Sequence, residues 1–257
     1  MGWALLRGWL GTGLAPLAVV EPHPSPKLQK LARSGRVELY ATAAGADGEW
    51  RACLVALKPQ ALTIEAARLR PIAQSGALMV SIAAGVGMAT LRAAWGRHSK
   101  IVRAMPNTPG AIGRGISALY VPKSVKAADR MFAQSLLAPL GRTLWVGQEA
   151  LIDSVTAISG SGPAYVFLLA EALAQAGEAE GLPRDVSQKL ARATVSGAGA
   201  LLDSDSRPAS ALRKDVTSPG GTTEAALKIL MKKDGLEALI GRAVKAARKR
   251  AIELGNY

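Results

Sequence analysis

Cysteine is nearly absent from this 257-residue chain. A single residue, Cys53, excludes an intrachain disulfide framework and any cysteine-built zinc site. Only two histidines occur, His23 and His98, far apart in sequence, so a histidine metal centre is not expected. Aromatic residues make up 4%, too few for the stacking platforms with which single-strand nucleic-acid binders hold bases. No run of about 18 uninterrupted apolar residues is present, and no transmembrane helix is expected. The first 20 residues are apolar, but Arg7, Gly8, Gly11, Gly13 and Pro16 break them, against the layout of a signal peptide. These absences point to a soluble chain in a reduced, cytoplasmic compartment.

What is present suits a large folded chain. Hydrophobic residues make up 49% and charged residues 20%, enough apolar material for a sizeable core. Thirty-two Lys and Arg against 19 Asp and Glu give a net charge of +13, which favours anionic partners in general. The cations are scattered, however. The one tight run, Lys245, Arg248, Lys249 and Arg250, reads as a solvated helix face, so the expected partner is a small anionic molecule, not nucleic acid or membrane.

Pattern divides the chain near residue 147. Before it, apolar runs at 15–20, 52–57, 77–82, 100–105, 116–121 and 142–146 are short and bounded by Gly or Pro, as buried strands are. Helix-length segments at 3–10, 26–33, 61–70, 87–95 and 125–138 alternate with them. That alternation predicts a doubly wound, mostly parallel α/β domain over residues 1–146. Residues 148–157, 163–179, 184–203, 208–214, 223–233 and 235–254 read as successive helices, which predicts an all-helical domain over 147–257.

A doubly wound sheet binds ligands beyond the carboxyl ends of its strands. Three such ends combine small residues with a few polar groups. They run into Lys58-Pro59, into Ala83-Ala84-Gly85, and into Pro106-Asn107-Thr108-Pro109. Gly and Pro also terminate strands for purely structural reasons, but three such turns in succession favour a site. Later, Val216-Thr217-Ser218-Pro219-Gly220-Gly221-Thr222-Thr223 precedes a helix-forming segment. Bare backbone N–H groups at a helix start suit a carboxylate or phosphate; an ordinary N-cap by Thr222 or Thr223 is the alternative. Ser159-Gly160-Ser161-Gly162-Pro163-Ala164-Tyr165 opens another helix in a similar way, and tight packing of the helix start would account for it equally well.

Taken in order, Ala56 to Pro59, Ser81 to Gly85, Met105 to Pro109, Ser159 to Tyr165 and Val216 to Thr223 resemble the motifs of the pyrroline-5-carboxylate reductases. The last of these is highly specific, and together they span most of the chain. The resemblance implies a Rossmann-like domain, then an all-α domain through which two copies form a homodimer, with larger assemblies of dimers in the family. It implies reduction of 1-pyrroline-5-carboxylate to L-proline with NADP or NAD as cofactor in its reduced form. Gly2, Glu21, Ala56, Leu57, Lys58, Pro59, Ala83, Ala84, Gly85, Asn107, Thr108 and Pro109 are then the expected cofactor-binding residues. Ser218, Gly220, Gly221, Thr222 and Thr223 are the expected substrate-binding residues, with Thr223 in the catalytic role of bonding the ring nitrogen.

The chain departs from that pattern at its start. By resemblance, Met1-Gly2 corresponds to the end of the glycine-rich loop, so the first strand and the earlier glycines are lacking. A start codon about ten or more residues upstream is the expectation that accounts for this; a real truncation would impair folding or cofactor binding. That second case keeps a non-catalytic, cofactor-deficient relative as the alternative, beside another imine or β-hydroxyacid reductase on the same plan. Glu21 sits where a carboxylate meets a ribose 2′-OH and disfavours a 2′-phosphate, although Lys27 or His23 could receive one. Arg114 stands where many relatives carry Glu.

Overall fold

The computed structural model describes residues 1–46 and 48–255. The first compact unit comprises Met1–Gly160 and the chain from Arg248 onward; the second is Ser161–Ala247.

The first unit opens with α1 (Gly2–Thr12), β1 (Ala18–Val20), α2 (Pro26–Arg33) and β2 (Glu38–Tyr40). It continues through β3 (Ala52–Val55), α3 (Pro59–Glu65), α4 (Arg70–Gln74), β4 (Leu78–Ser81) and α5 (Met88–Trp95). Then come β5 (Ile101–Met105), β6 (Gly115–Tyr120), α6 (Ala127–Leu137), β7 (Gly141–Trp145) and α7 (Leu151–Val155). Every strand and helix expected in this half is present. The strand that the pattern misses is β2, whose three residues Glu-Leu-Tyr are too few and too polar to stand out as an apolar run.

The strands form two sheets. β1 pairs with β2 in parallel, and β3-β4-β5-β6-β7 form a five-stranded sheet in that order. All neighbours in the larger sheet are parallel except β5 and β6. In a doubly wound sheet of order 3-2-1-4-5-6, the first strand lies between the second and the fourth. The interruption between β1 and β3 falls at that position, where the sequence pattern lacks a strand.

One helix spans the interruption. Leu5 of α1 is fully buried in the core formed by β4, β5, β6 and α6, where Ala52 and Leu54 of β3 also pack. Its neighbour Leu6 is buried with Leu28 and Val37 under β1 and β2. The indole N–H of Trp9 donates to the carbonyl of Leu136 at 2.7 Å, tying α1 to the end of α6. A second core, on the other face of the large sheet, centres on Met79, Leu91, Ile101 and the fully buried Trp95, whose indole N–H donates to Ala66 O at 2.9 Å.

The first unit runs past the expected boundary at 146/147. After β7, α7 and a π-helical turn at Thr156–Gly160 pack back onto β5 and β6, burying Ile152 and Ala157. The chain returns to this unit at Arg248, whose Nε donates to Ser154 Oγ at 3.1 Å. The change from strands to helices and the change of compact unit are therefore separate events, because a helix belongs to whichever core buries it.

The second unit contains α8 (Gly162–Ala179), α9 (Arg184–Ser204), α10 (Ala209–Asp215), α11 (Thr222–Leu230) and the first part of α12 (Leu236–Gly255). The helices are those the sequence pattern predicts. Within this unit α8 and α9 pack closely: Ser187 Oγ donates to Ala174 O at 2.6 Å, and a methyl at Gly177 would overlap Ser187. Yet among the described residues α8 buries only Ala174 of its 18, and α10 and α11 bury none. By length and composition alone, Leu151–Ala179 is apolar enough to cross a membrane, although polar residues interrupt it and it is not an unbroken apolar run.

α1 has no room for an added methyl at Gly8, where it would overlap the Pro139 ring, whereas nothing lies within 4 Å of one at Gly11. Gly8→Ala is expected to destabilise the chain by about 1–3 kcal/mol through overpacking. Gly11→Ala is expected to be neutral or to stabilise by up to about 1 kcal/mol through helix propensity. Urea unfolding of the two variants beside the parent checks both.

Candidate active site

Turns built from small residues lie where strands of the first unit end. After β3, Ala56, Leu57 and Lys58 are exposed; Lys58 is the N-cap of α3, and Pro59, half-buried, is its first residue. Proline fits there because that position needs no N–H donor. After β4, Ala83 and Gly85 are buried and Ala84 is half-buried. Gly85 has φ +75°, a left-handed conformation that glycine adopts without a Cβ clash. The two turns line one cleft of about 260 Å³, with Pro59 and Gln60 from one and Gly85 and Val86 from the other. Thr90, Arg250, Leu254 and Gly255 complete it, so the C-terminal end of α12 forms part of the same cleft. A Cβ at Gly85 would come 3.1 Å from Leu254 Cβ.

The sequence pattern does not point to that contribution of α12. It places Arg250 on a solvated face, and the side chain does bond Glu253 at 3.0 Å while also lining the cleft. Nothing local in the sequence signals such a long-range return.

Two further motifs come close together. Met105, at the end of β5, lies against Gly160, where a Cβ would come 2.7 Å from its methyl group. The start of the Ser159–Tyr165 motif is thereby placed beside the turn that carries Asn107, Thr108 and Pro109. Thr108 and Pro109 begin a short 3-10 helix, with Thr108 exposed. Asn107 has a structural duty: its Oδ1 accepts the N–H of Ile116 at 2.9 Å and holds the start of β6. The N-terminus of α1 reaches the same end of the sheet, since a Cβ at Gly2 would lie 3.2 Å from Ala56 Cβ. Glu21 follows β1 as expected, and its Oε1 accepts the N–H of His23 at 3.0 Å.

The residues present fit a dinucleotide at this end. The turns are built from small residues, the α1 N-terminus reaches one of them at Ala56, and Glu21 follows β1.

In the second unit, the turn before α11 differs in detail from expectation. The N-cap is Gly221, so neither Thr222 nor Thr223 plays that part. The Gly220 N–H donates to Glu224 Oε2 at 2.7 Å, and the Gly221 N–H donates to Ser218 O at 3.1 Å. Of the residues expected to hold a substrate carboxylate, Gly220 and Gly221 thus have their amides engaged by the chain itself. The reason is local: Glu224, in the first turn, reaches back as the acid of a capping box does. The donors of the first helical turn, at Thr222 and Thr223, have no carbonyl one turn back to bond. Ser218 is exposed and Thr223 half-buried.

An interrupted but mostly parallel sheet with small-residue turns at its strand ends, followed by an all-helical unit, places the chain in the Rossmann-type class, whose strand ends bind nucleotides. Comparison with known proteins narrows this. Residues 149–254 match the family model for pyrroline-5-carboxylate reductase dimerisation. The chain is 40% identical to the pyrroline-5-carboxylate reductase of Pseudomonas aeruginosa, over 100% of its own length and 94% of that protein. Its fold superposes on the Coxiella burnetii pyrroline-5-carboxylate reductase with a TM-score of 0.90 at 32% identity, covering 98% of this chain and 94% of that one. It is also similar to the Plasmodium falciparum enzyme solved with NADP bound, with a TM-score of 0.83 at 28% identity, covering 99% and 94%. The chain belongs to the pyrroline-5-carboxylate reductase family.

Cys53 of β3 lies just ahead of the Ala56–Pro59 turn and packs with the core around Met79. Burial disfavours the thiolate and pushes its pKa up to about 11. At pH 8 the folded chain is therefore expected to resist iodoacetamide, and to label readily once unfolded in urea. Mass spectrometry of the two samples reads the difference.

Proposed function

We propose that the chain reduces 1-pyrroline-5-carboxylate to L-proline. Membership of the family carries this reading, and the turns at the strand ends of the first unit support it. Bound at those turns, a reduced nicotinamide dinucleotide supplies the hydride that adds to the imine carbon.

The chain's own residues bind and orient. Gly2 at the α1 N-terminus and the Ala56–Pro59 turn receive the pyrophosphate side, and Glu21 receives the adenosine ribose. Ala83, Ala84 and Gly85, with Asn107, Thr108 and Pro109, line the nicotinamide side. In the second unit the substrate carboxylate is held by the first-turn N–H groups of α11, at Thr222 and Thr223, beside Ser218. Gly220 and Gly221 shape that turn, since their own amides are bonded within the chain. The hydroxyl of Thr223 bonds the ring nitrogen, where a proton must reside when the imine is reduced. No strong acid is needed on the protein, because a cyclic imine can enter already protonated.

The second unit also accounts for a second copy. Phe167 and Leu168 of α8 are 61% and 63% exposed, and Val166, Leu169 and Leu173 are exposed beside them. Helices so rich in exposed apolar side chains bury them against another surface. A second copy, docked through the matched dimerisation domain, is that surface, and such dimers can stack into larger assemblies. This accounts for the apolar character of Leu151–Ala179 without a membrane and fits a cytoplasmic enzyme.

Two measurements test the reading. Oxidation of NADPH or NADH by the purified chain, dependent on added pyrroline-5-carboxylate, is the expected activity; its absence from a folded chain would refute the reading. Thr223→Val is expected to lower kcat/KM about ten- to a hundredfold, the cost of one hydrogen bond to a charged group. Unchanged turnover would remove that role from Thr223. Separately, Phe167→Asp is expected to convert the dimer into monomers in sedimentation velocity and to lower the midpoint of thermal unfolding.

A further inference from the structure

The turn between β4 and α5 forms one wall of the cleft; Ala83 and Val86 pack into the core around Met79, but no polar side chain of its own fixes its backbone. Ala83, Ala84, Gly85, Val86 and Gly87 carry no polar side chain, and Ser81 Oγ accepts only a long bond, 3.4 Å, from the Ala83 N–H. Its anchor comes from about sixty residues later in the chain. The N–H of Met88, the first residue of α5, donates to Glu149 Oε1 at 2.6 Å. The same carboxylate oxygen accepts from Nη1 of Arg103.

Arg103 is 5% exposed and lies on β5 directly across from Ser81, the last residue of β4. One carboxylate therefore ties both ends of the turn: the strand that enters it, through its neighbour in the sheet, and the helix that leaves it. The electrostatics favour the arrangement. A carboxylate at a helix N-terminus is stabilised by the helix dipole, and a buried guanidinium is costly unless paired. The N-terminus of α5 is thus filled by the chain's own carboxylate.

We infer that Glu149 and Arg103 are positioning residues for the reductase, setting the Ala83–Gly87 turn against the nicotinamide from outside the cleft. The inference rests on the proposed activity, and neither residue is among those lining the cleft. A wall displaced by about 1 Å can cost about a hundredfold in rate while leaving the fold intact.

Glu149→Ala and Glu149→Gln test this, with circular dichroism confirming that each folds. In Glu149→Ala, kcat is expected to fall about ten- to a hundredfold while KM for pyrroline-5-carboxylate stays within about threefold. The Met88 amide is expected to exchange with solvent at least about tenfold faster in the same variant. Glu149→Gln, whose amide oxygen can accept the same two donors but does not neutralise the buried guanidinium, should recover both in part, to values clearly closer to the parent than those of the alanine variant. A folded Glu149→Ala with parental kcat, or with parental exchange at Met88, would overturn the inference; so would a Glu149→Gln no better than the alanine. If the parent itself shows no turnover, the proposed activity fails, and amide exchange still decides whether the carboxylate anchors the turn. Should Glu149→Ala not fold, Arg103→Met leaves the carboxylate on Met88 but unties it from β5. It is expected to lower kcat about tenfold, and an unchanged kcat overturns the inference.

Discussion

Two adjacent leucines hold the first unit together. Leu5 and Leu6 of α1 project into different cores, one under the five-stranded sheet and the other under the β1–β2 pair. Among the described residues, the two sheets share no strand-to-strand hydrogen bonds. Hydrophobic burial along α1 therefore links the two sheets. Burial is non-directional, so it can hold two sheets side by side without fixing their register. The close approach of Gly8 to Pro139 adds the shape constraint that burial alone lacks. Because α1 also brings Gly2 up to Ala56, the geometry at this end of the sheet depends on how the helix is seated.

The second unit obeys a different constraint. Its helices have sound local chemistry: Pro183 and Pro208 stand immediately before α9 and α10, and Asp205 and Asp215 both pair with Arg207 across the loop between them. What it lacks is an interior, since Ala174, Ser187 and Ala191 are the residues that α8 and α9 bury. A helical unit with so little core owes its stability to what covers it. That is why a dimerisation domain can be apolar enough to resemble a membrane span by composition.

Much of this is legible in the sequence, for particular reasons. Leu78–Ser81 and Ile101–Met105 are apolar runs with turn residues at each end, and at four and five residues they are too short for buried helices. Pro26 at the start of α2 and Pro59 at the start of α3 mark helices by a rule that acts within one turn. The small-residue turns after β3 and β4, read as candidate ligand contacts, do share a cleft. β2 escapes because three residues establish no periodicity. The Gly220 amide escapes because Glu224, four residues on, competes for it.

The sequence by itself determined the two kinds of domain, the positions of their elements and the family, because these follow from local periodicity, turn chemistry and order of motifs. Only the tertiary structure decided that α12 returns to line the cleft at Gly85, and that Glu149 anchors α5 and Arg103 together. It alone moved the edge of the first unit to Gly160. Each of these joins residues tens to more than a hundred positions apart. Such contacts are selected by packing and charge pairing in the folded chain, and a carboxylate's partner is chosen by what burial leaves unpaired nearby.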